Sequence, residues 1–127
     1  FTRRARLEAD ARAEALSATE RGARLDLRHL PFVTVDPASA RDHDDALCAE
    51  AMPAGSGADE RLWVAIADVS HFVAEGGFLD AEARRRGNSF YFPDRALPML
   101  PERLSSDLCS LVPGVDRLAM VVELRLA

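Results

Sequence analysis

With 127 residues, 48% hydrophobic and 29% charged, the chain can form one core, is too short for two independent domains, and is too apolar for extensive disorder. No apolar run approaches the roughly 20 residues that cross a bilayer, and the arginine-rich start lacks the apolar stretch and cleavage site of a secretory signal, so a cytoplasmic protein without membrane contact is expected. A net charge of −5 argues against a generally basic nucleic-acid-binding surface, leaving any RNA contact to local arginine clusters or to parts outside the chain.

The first predicted element is a helix capped by Thr2 and running to about Ala18, with a thin apolar stripe of Leu7, Ala11, Ala15 and Leu16 that needs a surface to dock on. Residues 1–25 read as a helical connector or the end of a preceding domain, and residues 26–127 as a second unit. A strand over residues 32–35 is expected to deliver Asp36 at its end, followed by a loop of small residues over 37–41. Strands over 45–51 and 62–68 flank a turn over 53–59 that contains Gly55, Ser56 and Gly57, which predicts an antiparallel hairpin. The second of these, LWVAIADV, is so apolar that both faces are expected to be covered.

A short helix over 79–86 stops at Gly87, with Arg84, Arg85 and Arg86 near its negative end, and a short aromatic strand follows over 89–92. Pro93, Pro98, Pro101 and Pro113 then predict an irregular stretch holding one short helix near 102–111. The closing LAMVVELRLA is a strong strand whose bare apolar end suggests truncation. The expected fold class is α/β (α+β), a mainly antiparallel sheet with short flanking helices. Cys48 and Cys109 match neither CxxC nor a disulfide framework and are expected to be reduced packing thiols.

The densest chemistry lies in VTVDPASARDHDDA, where Asp36, Asp42, Asp44 and Asp45 fall within ten residues. Two unit charges about 4 Å apart repel by roughly 1 kcal/mol in water and about 4 kcal/mol in a partly screened site. A fold that gathers four carboxylates therefore needs a counter-charge, and hard divalent cations with oxygen ligands supply one. The competing reading is a solvated acidic turn. In an extended strand Asp42 and Asp44 would point one way and Asp45 the other, so a shared site requires a bent backbone. An EF-hand is excluded: counted from Asp42, Leu47 stands where glycine is needed and Pro53 where a bidentate glutamate is needed. His43 reads as a hydrogen-bonding or packing residue outside any metal shell, and His71 and Trp63 read as packing residues.

In RGNSFYFPDR, Phe90, Tyr91 and Phe92 lie between Arg86 and Arg95. Such a run is either a core strand with ordinary surface charges or an unpaired-base platform, where stacking is worth about 1–3 kcal/mol per base.

Taken together, DLRHLPFVTVDPASARDHDDA, LWVAIADVSHF, FLDAEARRRGNSFYFPDRALPMLPERLSSDLCSL and VDRLAMVVEL resemble the catalytic domain of the ribonuclease II and ribonuclease R family, in order, over about residues 26–126. The resemblance implies that residues 26–127 are the N-terminal portion of a catalytic domain that hydrolyses single-stranded RNA from its 3′ end to 5′-nucleoside monophosphates with Mg²⁺, or Mn²⁺ in its place. It places the metal ligands on Asp36, Asp42 and Asp45, water activation or transition-state charge on Asp44, and base stacking on Tyr91. It also implies a monomer at full length, with a downstream arginine and glutamate and OB-type RNA-binding domains that this chain does not contain, so turnover by the chain alone is not expected. His43, Pro37 and Phe72 stand where the family commonly has a hydrophobic residue, glycine and tyrosine, and none of these departures removes a carboxylate. A non-catalytic RNA-binding or regulatory relative with the same fold is the alternative.

Overall fold

The computed structural model describes residues 1–12 and 16–127. Helix α1 (Arg3–Asp10) begins where the Thr2 hydroxyl accepts the Ala5 amide at 3.2 Å, as expected. It does not run on to Ala18: Ala11 closes it, and a second helix, α2 (Ala18–Gly22), opens at Ser17. The local reason is a capping box, in which the Ser17 hydroxyl accepts the Glu20 amide and the Glu20 carboxylate accepts the Ser17 amide. Ala15, part of the expected stripe, lies outside the described residues.

Strand β1 (Asp45–Ala51) pairs antiparallel with β2 (Glu60–Ala67), Asp45 opposite Ile66 and Ala51 opposite Glu60, so the predicted hairpin forms with its second strand starting two residues and ending one residue earlier. The last strand, β5 (Ala119–Leu126), lies antiparallel on the other side of β2 and makes the sheet order β1-β2-β5. Ala46, Cys48, Trp63, Ala65 and Ala67 turn to the buried face. The opposite face is open: Ile66 is 47% exposed, and its β5 neighbours Met120 and Val122 are exposed too. The expectation that both faces of LWVAIADV are covered is therefore not met among the described residues. The predicted strand over 32–35 is also reduced, to a single antiparallel bridge between Val33 and Leu47. Pro31 and Pro37 bracket that stretch and donate no amide, which limits how far a ladder can extend there.

After the short α3 (Val69–Phe72), helix α4 (Phe78–Arg86) packs on α1. Its N-cap, Gly77, has no side chain to offer, and Glu8 of α1 takes that role by accepting the Leu79 amide at 3.2 Å. A Cβ at Gly77 would come within 2.6 Å of the Glu8 carboxylate, so a side chain there would displace Glu8 from this capping position. Gly87, with φ +74°, ends α4 in the left-handed region. A two-residue ribbon follows, β3 (Phe90–Tyr91) against β4 (Ala96–Leu97), and then a π-helical segment (Arg103–Leu108). Leu79, Leu104 and Leu108 join Ala5, Ala9 and Phe72 in the core between these helices. Each fully buried leucine contributes about 1.5–3 kcal/mol of apolar transfer free energy. The architecture is the expected mixed α/β fold with an antiparallel sheet. Cys48 and Cys109 are both buried free thiols, and burial pushes the Cys109 thiol up to about 12, far from reactive.

Asp68, at the end of β2, is 4% exposed. Burial alone would raise its carboxyl pKa, but the Ser70 hydroxyl at 2.6 Å and the Arg24 guanidinium at 2.8 Å outweigh it and hold the carboxyl below its usual range. A depressed folded-state pKa gives stability that is present above the unfolded value and lost as pH falls through the folded one. Replacing Arg24 with alanine is expected to cost about 1–3 kcal/mol at neutral pH by leaving a buried carboxylate short of a partner. The variant should also lose less stability on acidification than the parent, which thermal melts at neutral pH and below pH 3.8, the carboxyl's unfolded value, will show.

Candidate acidic site

A single antiparallel bridge, Val33 to Leu47, ties the stretch that leads to Asp36 to β1, the strand that follows Asp44. Asp44 itself extends the hairpin, since its carbonyl accepts the Ala67 amide at 2.9 Å, and Asp45 is the first residue of β1. Asp42 lies in the stretch before them, which belongs to neither strand nor helix.

Asp44 carries the electrostatic signature of the cluster. Its carboxyl pKa is raised, first by partial desolvation and then by the charges of Asp42, Asp45 and Asp36, with only His43 acting in the opposite sense. Asp44 is therefore close enough to the other three aspartates to feel their charge. As their side chains stand, however, two are turned to other partners. His43 Nδ1 lies 2.8 Å from an Asp36 carboxylate oxygen and holds that carboxyl below its usual range. The Tyr91 hydroxyl donates to Asp42 at 2.7 Å. Among the described residues no group of three or more His, Cys, Asp or Glu side chains is already arranged to hold a metal ion.

Tyr91 is 67% exposed, and Phe90 and Phe92 beside it are also largely exposed, which removes the core-strand reading of this aromatic run. The bond to Asp42, with desolvation adding to it, raises the Tyr91 phenol pKa, so the hydroxyl remains a protonated donor at neutral pH. Of the arginines flanking the run, Arg86 is engaged in ion pairing, whereas Arg95 is exposed. Arg86 bonds Glu82 and the Pro98 carbonyl and covers the Phe1 ring at 3.7 Å, while Arg95 lies over Phe92 at 5.7 Å. His71 pairs with Glu20 and meets Phe72 edge-on, and Trp63 is buried under Arg61, so both are packing residues as expected.

The backbone of the acidic turn is held from a distance. Ser110, two residues beyond the π-helical segment, accepts the His43 amide and donates to the Arg41 carbonyl, each at 3.0 Å, and the Leu111 amide donates to the His43 carbonyl at 2.9 Å. Nothing in the local sequence marks this serine, because its partners lie 67 and 69 residues away.

The family model for the RNB domain matches residues 24–127. Ribonuclease R of Vibrio cholerae serotype O1 is 58% identical over 101 residues, which is 80% of this chain and 12% of that protein. Among solved structures, Mycoplasma genitalium RNase R in complex with double-stranded RNA superposes with a TM-score of 0.88 at 36% identity, over 98% of this chain and 22% of that one. The same protein in complex with ribose-methylated single-stranded RNA gives a TM-score of 0.85 at 38% identity, over 94% of this chain and 18% of that one. The chain thus spans only a small part of the relatives it matches.

Proposed function

Because this chain belongs to the RNB domain family, we propose that its protein is a 3′-to-5′ exoribonuclease, hydrolysing single-stranded RNA in the cytoplasm to 5′-nucleoside monophosphates. Residues 26–127 form the N-terminal portion of the catalytic domain, and residues 1–25 are the helical lead-in to it. The observation that carries this reading is the Tyr91–Asp42 hydrogen bond, which ties an exposed aromatic ring to the acidic cluster. A 3′-terminal base stacked on that ring would bring its phosphate beside the carboxylates. The relatives solved with RNA support RNA as the polymer bound.

The donor set fits a hard divalent cation. All four side chains offer carboxylate oxygen, and the raised Asp44 pKa is what an ion's positive charge would reverse. Asp36, Asp42 and Asp45 are the proposed ligands of Mg²⁺, or of Mn²⁺ in its place, and Asp44 is the residue proposed to orient and deprotonate the attacking water. When bound, such an ion supplies charge neutralisation and a more acidic water for in-line phosphodiester hydrolysis. His43 keeps Asp36 ionised, and Tyr91 orients Asp42 while its ring receives the base.

The test is a product assay with the full-length protein and 5′-labelled single-stranded RNA. Mononucleotides released stepwise from the 3′ end with Mg²⁺, and not after chelation, are the expected outcome. RNA that is bound but left intact in the presence of Mg²⁺ would make the protein a non-catalytic RNA-binding relative instead.

A further inference from the structure

We propose that Ser110 is a positioning residue for the acidic site, its buried hydroxyl fixing the backbone of residues 41–43 that carries Asp42 and leads into Asp44. The inference rests on the function proposed above and adds a residue to it. Ser110 is 0% exposed, and its Oγ makes two bonds of opposite sense to one short backbone stretch, accepting from the His43 amide and donating to the Arg41 carbonyl. With the Leu111 amide on the His43 carbonyl, three bonds bracket Asp42 and end one residue before Asp44. The charges of Asp36, Asp42 and Asp45 act against an ionised Asp44, and these bonds hold the neighbouring backbone in place against that repulsion.

Ser110 is itself held on both sides. Its carbonyl accepts Arg117 Nε at 3.0 Å and its amide donates to the Asp107 carbonyl at 3.1 Å. The preceding segment is π-helical, with the Cys109 amide bonded to the Leu104 carbonyl five residues back. At 3.6 residues per α-turn, one residue more or fewer would rotate the following side chain by about 100°. The wider turn accordingly sets the direction from which Ser110 meets residues 41–43, consistent with the frequent use of π-turns at functional sites.

A purely structural serine and a positioning serine predict different results. The full-length protein is compared as wild type, Ser110→Ala, Ser110→Thr and Cys109→Ala, the last changing a buried neighbour whose amide bonds Leu104 instead of residues 41–43. Mn²⁺ affinity is read without turnover by electron paramagnetic resonance, alongside kcat, KM and the melting temperature. Ser110→Ala is expected to weaken Mn²⁺ binding about 10-fold and to lower kcat by a similar factor, the size typical of losing a partner that orients metal ligands, with KM for RNA little changed. Ser110→Thr, which keeps the hydroxyl, should restore both, and Cys109→Ala should lower the melting temperature while leaving Mn²⁺ affinity intact. Wild-type Mn²⁺ affinity in Ser110→Ala, or equal weakening in Cys109→Ala, overturns the proposal. If Ser110→Ala does not fold, Ser110→Cys with its weak thiol donor replaces it, under the same criterion. A wild type that neither binds Mn²⁺ nor cleaves RNA sinks the proposed function itself, an outcome distinct from either of these.

Discussion

Replacing Asp44 with asparagine in the full-length protein is expected to reduce RNA hydrolysis by about 10²–10⁴-fold, the contribution typical of a positioned general base. RNA affinity should hold or rise slightly, because one negative charge beside a phosphate backbone has been removed. Stability should move in the opposite direction to activity. The Asp44 pKa is raised in the folded chain, so its contribution is present below the unfolded value and lost as pH rises through the folded one. At neutral pH without divalent cation the ionised Asp44 is therefore a net cost, and the asparagine variant should melt at a higher temperature than the parent. Single-turnover cleavage, equilibrium binding to the same oligonucleotide and melts in chelator measure the three quantities. Hydrolysis at the parental rate would remove Asp44 from the chemistry.

Tyr91 is expected to separate into two functions on mutation. Truncation to alanine removes the exposed ring and should weaken binding of a short single strand by about 1–3 kcal/mol, or roughly 5–150-fold. Phenylalanine keeps the ring but not the hydroxyl that reaches Asp42 at 2.7 Å. That variant should bind RNA close to normally yet cleave it several-fold more slowly, because Asp42 loses the bond that orients it. Affinity measured by fluorescence anisotropy, set against single-turnover rates, distinguishes the two effects. If phenylalanine weakens binding as much as alanine does, the ring is not the contact.

The elements that depart from the local pattern do so for one physical reason. Periodicity and Gly-rich turn chemistry were sufficient for the β1–β2 hairpin and for α4 up to Gly87, because those elements close on near neighbours. The stretch around Val33 has strand composition, but pairing needs a partner edge and free amides, and only Val33 obtains them. The break before α2 was legible in principle, since Ser17 and Glu20 have capping-box spacing, but a continuous alanine-rich pattern masked it. The exposed face of β2 has no local sign at all: an apolar strand reads the same whether one face is covered or two.

By itself the sequence determined the secondary structure of the local elements, the family, and the presence of four carboxylates with a tyrosine further along, since each of these is carried by residue type and spacing. Only the tertiary structure decided that Asp36 faces His43, that Tyr91 reaches Asp42, and that Ser110 holds residues 41–43. The physical reason is range. Side-chain periodicity and capping act over a few residues, whereas the tyrosine and serine bonds close loops of 49 and 67 residues, and their geometry is set by how α1, α4 and the π-helical segment pack into one core.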